Sequence, residues 1–526
     1  MSRKESLFRG AAALAAAGLI IKVSNLLVRI PLTRLLDSEG LGIYQMALPA
    51  FYALFHIAAG GVPVAVQNLV AEHTAKGRRA VAEQVLRLAL TYTTAAGGAA
   101  AAVLLAGAPI LARLLGEHRV YWALVAVAPA VPLFAIDSVY RNYLQGRKLM
   151  TPSATASLLE QCTKVVVTLG AAFLLAAFGK DAAAGGAALG ITAGAVVSVV
   201  YIVYIYRQIR REDEPDVFGP EPTSRLVRRL VRLAWPVTVG SVSMPLLSLL
   251  DVGIVQRGFL RAGYPQGEAT AMYGNYSGIA VQVVWFPFVL TNAFANALVP
   301  VLAAAAARKD REAVRSRVRL GLRAAGLICL PIAIGVAILT GPIVRLFGEP
   351  QAARPLLFMA PVAYLGPLAW LMTAQLQALG HTGVPMRNHG MAMLLKIGLD
   401  ALLAPVRGID VAGVAIASGV MFLVCCWLNA RELERVTGEP LPWGALLRGP
   451  LAASVVMGGG LLGLAATGVM PAASWASLVL ALVVAPTLYV ATLLGTRTVT
   501  APELAALAGP LGPRLERLLT VLWPWS

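Results

Sequence analysis

Residues 22–49 read KVSNLLVRIPLTRLLDSEGLGIYQMALP, and this pattern decides the fold. An apolar helix carries Lys22, Asn25, Arg29 and Thr33. Their spacing puts all four on one helical stripe. Arg34 and a short acidic turn follow, and a second apolar helix opens at Gly42-Ile43-Tyr44-Gln45. Two cations inside a greasy helix are expensive in lipid. The stripe is therefore expected to face protein or a water-filled cavity, with the rest of the chain as its housing.

Composition supports a membrane setting. Of 526 residues, 58% are hydrophobic and only 13% charged, with mean hydropathy +0.73. A soluble domain carries about a quarter charged residues. Apolar runs of about twenty residues recur along the chain, the length a helix needs to cross a bilayer. The chain is predicted to be an all-α polytopic membrane protein. Its net charge of +18 sits between the apolar runs, as the positive-inside rule demands, and argues against nucleic acid as a partner. Arg3, Lys4 and Arg9 precede a stretch longer than a signal peptide's apolar core, so it reads as the first span. Cys162, Cys329, Cys425 and Cys426 fall in predicted spans and imply neither disulfides nor a metal site.

Hydropathy predicts about fourteen spans, near 10–33, 42–70, 85–112, 120–145, 152–178, 184–206, 232–256, 271–305, 318–344, 354–379, 385–406, 411–430, 447–468 and 474–495. The eighth is long enough to project from the bilayer. Arginine-rich connections, among them Arg141, Arg147 and Lys148, alternate with poorer ones that hold Arg34, Arg113, Arg119, Lys180 and Arg257. The alternation places both termini in the cytosol. Pro, Gly and acidic residues mark 211–231 as a linker. The expected organisation is a six-helix lobe over 1–210, a second over 232–440, two extra helices over 441–497 and an amphipathic cytoplasmic tail over 498–526. The lobes show a weak repeat: GVPVAVQNLVAEHTAKGR aligns with FANALVPVLAAAAARKDR, setting Lys76 over Lys309. Such repeats point to transporters.

Two further stretches are distinctive: GLGIYQMALPAFYALFHIAAGGVPVAVQNLVAEH, and LDVGIVQRGFLRAGYPQGEATAMYGNYSGIA. With the helix ending ALVPVLAAAAARKD, they resemble the SpoVB-like branch of polysaccharide flippases in the MOP superfamily, relatives of MurJ, Wzx and MATE proteins. The resemblance covers nearly the whole chain. It implies a monomeric flippase of the bacterial plasma membrane that moves a lipid-linked oligosaccharide, lipid II above all, from the inner to the outer leaflet. It implies no cofactor, with Na+ or H+ as coupling ion.

The residues fit that chemistry. An anionic pyrophosphate needs cationic partners where the dielectric is low, and arginine offers a planar fork. Lys22, Asn25, Arg29, Arg34, Arg257, Lys164 and Lys396 are the substrate-binding candidates, Arg29 foremost because no carboxylate lies within one turn. Gln45, Pro49, Tyr52 and His56 form a weakly polar face on the second span. Gly61, Pro63 and Pro245 mark hinges where backbone groups are freed. Asp251 and Asp400 are intramembrane carboxylates and candidates for ion coupling. Glu160 joins them, one turn from Lys164. The neighbouring Lys396 departs from a sodium site, because an ammonium can take the cation's place.

No Walker A, HExxH or nucleophile-elbow sequence is present, so ATP-driven pumping and hydrolysis lack their residues. Other readings stay open: a flippase for teichoic acid or capsule units, a MATE-like drug exporter, or a membrane glycosyl- or acyltransferase.

Overall fold

The computed structural model describes residues 3–212, 221–467 and 475–499, and these form helices with no strand among them. Ten helices are long and apolar enough to cross a membrane. Pro350–Met359 and Val362–Ala378, bent by 44°, make an eleventh if taken as one span. The chain is a multi-pass membrane protein.

The expected fourteen spans are not reached by length and composition, for local reasons. The first expected span, 10–33, and most of the second, 42–70, share one helical stretch, Arg3–Ala58, of which Leu27–Ala58 qualifies; the rest of the second lies in Val62–Ala75. Gly383–Leu403 carries Arg387, Lys396 and Asp400, which lower its hydropathy. The last helix contributes only the short apolar segment Val479–Gly495, about 26 Å at 1.5 Å per residue. The eighth expected span is not one helix either. It runs as Gln266–Tyr273, a π-helical turn over Gly274–Ala280, Val281–Val284 and Phe286–Ala307. Pro287 at the start of the last piece favours a fresh helix there.

Arg3–Ala58 is broken at Asp37, whose φ of 54° and ψ of −175° are not helical. The Asp37 carboxylate accepts hydrogen bonds from the backbone N–H groups of Glu39 (3.0 Å) and Gly40 (3.1 Å). It thereby caps the second segment, 38–58, and satisfies two of its orphan donors.

Two compact units result: 1–278 with 397–410, and 279–396 with 411–526. This differs from a division at 211–231. Thr223–Arg261 packs on Arg3–Ala58 and on Val62–Ala75, and so belongs to the first unit. Residues 213–220 of the expected linker and 500–526 of the expected tail lie outside the described residues.

In the first unit, Thr151–Leu175 and Lys180–Glu212 form the most extensive helix pair. Gly186, Gly190 and Gly194 face the backbone of that partner, where an added Cβ would meet Ala171, Thr168 and Glu160. Without a water-driven hydrophobic effect between spans, close backbone packing of this kind holds them together.

Gly60 and Gly61 seat Thr223–Arg261 in a similar way. Gly60 has φ +41°, Gly61 N–H donates to Thr238 Oγ1 (2.9 Å), and a methyl on Gly61 would overlap the Ala234 carbonyl. Gly61→Ala is expected to cost about 1–3 kcal/mol of stability by overpacking. Thermal unfolding in detergent measures it, and an unchanged midpoint would show that the contact yields freely.

In the second unit, Arg311–Ile338 packs on Trp443–Ala466 and on Val362–Ala378. Gln375 is fully buried there and donates to the Val318 carbonyl (3.2 Å) beside Gly321. Gly460 faces Leu488, which is a packing role.

Candidate functional site

The opening stripe points into the first unit. Asn25 Oδ1 accepts from Gln161 Nε2 (3.0 Å), joining the first helix to Thr151–Leu175. Thr33 is fully buried and donates to the Arg29 carbonyl (2.8 Å). Between them, Arg29 Nη2 donates to Gln45 Oε1 (3.3 Å), and the guanidinium carbon stands 5.7 Å from the Tyr44 ring centre. Arg29 Nη1 is shut off from solvent with no hydrogen-bond partner, and among the described residues no carboxylate pairs with this residue. The Lys22 side chain lies outside the described part of the structure.

Gln45 is buried and anchored on its other side, its Nε2 donating to the Ser277 carbonyl (3.0 Å). Ser277 sits in the π-helical turn, where glycine lets the chain come close: Gly274 faces the Ser38 carbonyl, and Gly278 faces Leu41. Such wide turns recur at functional sites.

The other expected residues are dispersed. Arg34 and Arg257 are exposed, and Arg257 Nη2 donates to the Arg113 carbonyl (3.2 Å). Tyr52 is exposed, and Pro49, His56, Lys164, Pro245 and Asp251 are half-buried. Pro63 is buried near the start of Val62–Ala75. Lys396 and Asp400 are both buried, one turn apart on Gly383–Leu403.

Three charge clusters were missed by the sequence reading. Arg141, assigned to a loop, is inside the helix Ala130–Gly146 one turn after Asp137. Its Nε reaches Asp137 Oδ2 (2.5 Å) and its Nη2 donates to Glu160 Oε2 (2.5 Å) and Ser198 Oγ (2.7 Å). Glu160, expected to balance Lys164 or to couple an ion, is thus committed to Arg141. Ser198 in turn donates to Asp137 Oδ1 (2.6 Å). The i,i+4 spacing of Asp137 and Arg141 was the available signal.

The second cluster centres on Glu117, fully buried in the turn between two long helices. It accepts from Arg119 Nε (2.9 Å) and Nη2 (2.8 Å), from Gln266 Nε2 (3.0 Å) and from Thr270 Oγ1 (2.5 Å). Arg119 also donates to Glu39 (2.6 Å), and Lys180 reaches Asp37 (2.6 Å) and Glu39 (2.7 Å). Burial alone would raise the Glu117 carboxyl, but the hydrogen bonds from Arg119, Thr270 and Gln266 outweigh it and hold the group down at about 2.

Arg79–Leu115 separates this cluster from a third by 37 residues, about 55 Å of helix. There, Glu72 accepts from Lys76 (2.7 Å) and Arg229 (2.6 Å), which hold its carboxyl down at about 2. Gln84 Nε2 donates to the Glu221 carbonyl (2.9 Å). In the second unit, a neutral buried network runs from Asn388 Nδ2 to Asn429 Oδ1 (3.0 Å) and from Asn429 Nδ2 to Thr373 Oγ1 (3.3 Å). Among the described residues, no cluster of His, Cys, Asp and Glu is placed to hold a metal ion.

Comparison with known proteins agrees with this architecture. The family model described as "Polysaccharide biosynthesis protein" matches residues 7–306, and the MatE model matches 277–402. Stage V sporulation protein B of Bacillus subtilis (strain 168) is 29% identical over 445 residues, covering 82% of this chain and 84% of that protein. A multidrug resistance MATE family transporter of the MOP superfamily, solved in its inward-facing conformation, superposes with TM-score 0.67 at 16% identity, covering 81% of this chain and 99% of that one. The lipid II flippase MurJ, in an inward closed conformation, gives TM-score 0.65 at 14% identity, covering 91% and 97%.

Proposed function

Because the chain belongs to the polysaccharide biosynthesis protein family, as a SpoVB-like member of the MOP superfamily, we propose that it is a flippase for a lipid-linked cell-wall precursor, lipid II foremost. The observation that carries this reading is Arg29: an arginine inside a membrane unit, with no carboxylate partner among the described residues and its Nη1 uncommitted. A buried cation left in this state is costly, and an anionic substrate group supplies the missing partner. A pyrophosphate matches the guanidinium fork by charge and by geometry. MurJ is by name a lipid II flippase, and the similarity to stage V sporulation protein B makes peptidoglycan synthesis, including that of the spore, the favoured setting.

The cycle is alternating access in the bacterial plasma membrane, with a monomer as the transport unit and both termini cytoplasmic. Its driving force is the membrane potential, a gradient of Na+ or H+, or consumption of the product outside, with Asp251 and Asp400 as the candidate carboxylates if an ion is coupled. Export of cationic drugs fits less well, since such cargo is repelled by an unpaired arginine. The fold relationship to the MATE transporter carries architecture, not cargo.

The test is transport of labelled lipid II in proteoliposomes, wild type against Arg29→Ala. We expect at least a tenfold loss of rate, which corresponds to about 1.4 kcal/mol. Equal rates would remove Arg29 from the site. Absence of movement by the wild type, with activity on a teichoic acid or capsule precursor, would move the substrate assignment to that class.

A further inference from the structure

We infer that Gln45 sets the charge selectivity of the Arg29 site. It holds the guanidinium with a neutral acceptor, so that the balancing anion must come from the substrate. The inference rests on the reading of Arg29 as a substrate-binding cation.

Arg29 Nη2 is held by the Gln45 amide oxygen at 3.3 Å, while Nη1 is buried without a partner. A carboxylate in place of that amide would sit at the same distance and cancel the charge. Its shape is nearly that of glutamine, so packing alone does not explain a neutral acceptor in a membrane interior. An unpaired arginine there is expensive and a paired one much less so. Stability by itself thus favours an acid at this position, and the neutral side chain preserves a positive charge at some cost.

The tether to Ser277 completes the device. An amide has two ends, one acceptor and one donor. The acceptor end meets Arg29, and the donor end meets the Ser277 carbonyl at 3.0 Å. This fixes which end of the amide faces the guanidinium. A carboxylate at position 45 would lose this one neutral hydrogen bond to the carbonyl, a smaller effect than the pairing of a buried guanidinium that it would gain. The π-helical turn and its glycines at 274 and 278 bring that carbonyl within reach. Gln45 is therefore a positioning residue: it aims Arg29, and leaves one edge of the fork open.

The experiment measures binding of undecaprenyl pyrophosphate to the full-length protein in nanodiscs, for wild type, Arg29→Ala, Gln45→Glu and Gln45→Met. We expect Arg29→Ala and Gln45→Glu each to weaken binding at least tenfold, and Gln45→Met to weaken it less than about threefold, because the charge survives. Gln45→Glu should also flatten the salt dependence of binding, since Arg29 is then already balanced. A thermal midpoint for Gln45→Glu at or above that of the wild type separates lost selectivity from lost folding, and a lower midpoint would count against the inference. If Arg29→Ala binds normally, the reading of the site fails first. If Arg29→Ala fails while Gln45→Glu binds as the wild type does, the inference about Gln45 is overturned and the site stands. Equal weakening by Gln45→Met and Gln45→Glu would assign the effect to shape, and would overturn it too.

Discussion

Glu117→Ala is expected to destabilise the protein by about 3–5 kcal/mol, the cost of removing one partner from a buried charge cluster. Arg119, Gln266 and Thr270 all donate to this carboxylate, which is fully buried. Without it, the Arg119 guanidinium keeps only Glu39. The turn between the long helices then loses its tie to Gln266–Tyr273. The same residue gives stability a pH dependence of known sign. Its carboxyl lies at about 2, below the ordinary 4.5. A depressed carboxyl stabilises the fold above its unfolded value, and the contribution fades as pH falls from about 4.5 to about 2. The amount lost is roughly 3 kcal/mol at about 1.4 kcal/mol per unit. Thermal unfolding in detergent between pH 7 and pH 3 measures both effects. Glu117→Gln should lower the midpoint at pH 7 and flatten the acid limb. An acid limb as steep as the wild type's would mean that other carboxylates govern it.

Arg141→Met should cost about 2–4 kcal/mol, because it strands the buried Asp137 and the half-buried Glu160 without their shared cation. The instructive comparison is the triple replacement Asp137→Asn, Arg141→Met, Glu160→Gln. Swapping a whole buried cluster for neutral groups is often close to neutral in stability. The triple variant should recover most of the lost midpoint. If it is no better than Arg141→Met alone, the cluster is held by packing around it and charge is secondary.

Much of this was legible in the sequence, and the rest was hidden for identifiable reasons. The class followed from apolar runs, which act locally and need no partner. The stripe from Asn25 to Thr33 followed from helical geometry; Asn25, though exposed, meets Gln161, and Arg29 meets Gln45. Arg141 was misread because it lies six residues before Arg147 and Lys148, and hydropathy averages such neighbours into one charged connection. Only the extent of Ala130–Gly146 shows that Arg141 belongs inside. The Glu117 cluster was invisible for another reason. Its members come from positions 37–39, 117–119, 180 and 266–270, and no spacing rule links segments so far apart. The contact of Gln45 with Ser277 spans 232 positions and depends on a π-helical turn that periodicity cannot register. Gly61, expected as a hinge, also seats Thr238 and Ala234, a contact between distant segments that sequence spacing does not reveal.

The glycine stripe at 186, 190 and 194 bears on the order in which the chain assembles. Its two helices are joined by the four residues 176–179, so their docking closes a very short loop and sacrifices little chain entropy. The contact is made by backbone and small side chains, and it requires nothing encoded downstream. This hairpin is complete as soon as residue 212 has been made. It offers Glu160 and Ser198 as a ready template on which the earlier Asp137 and Arg141 settle. This hairpin is therefore expected to dock before the contact of Gln45 with Ser277, which closes a loop of 232 positions.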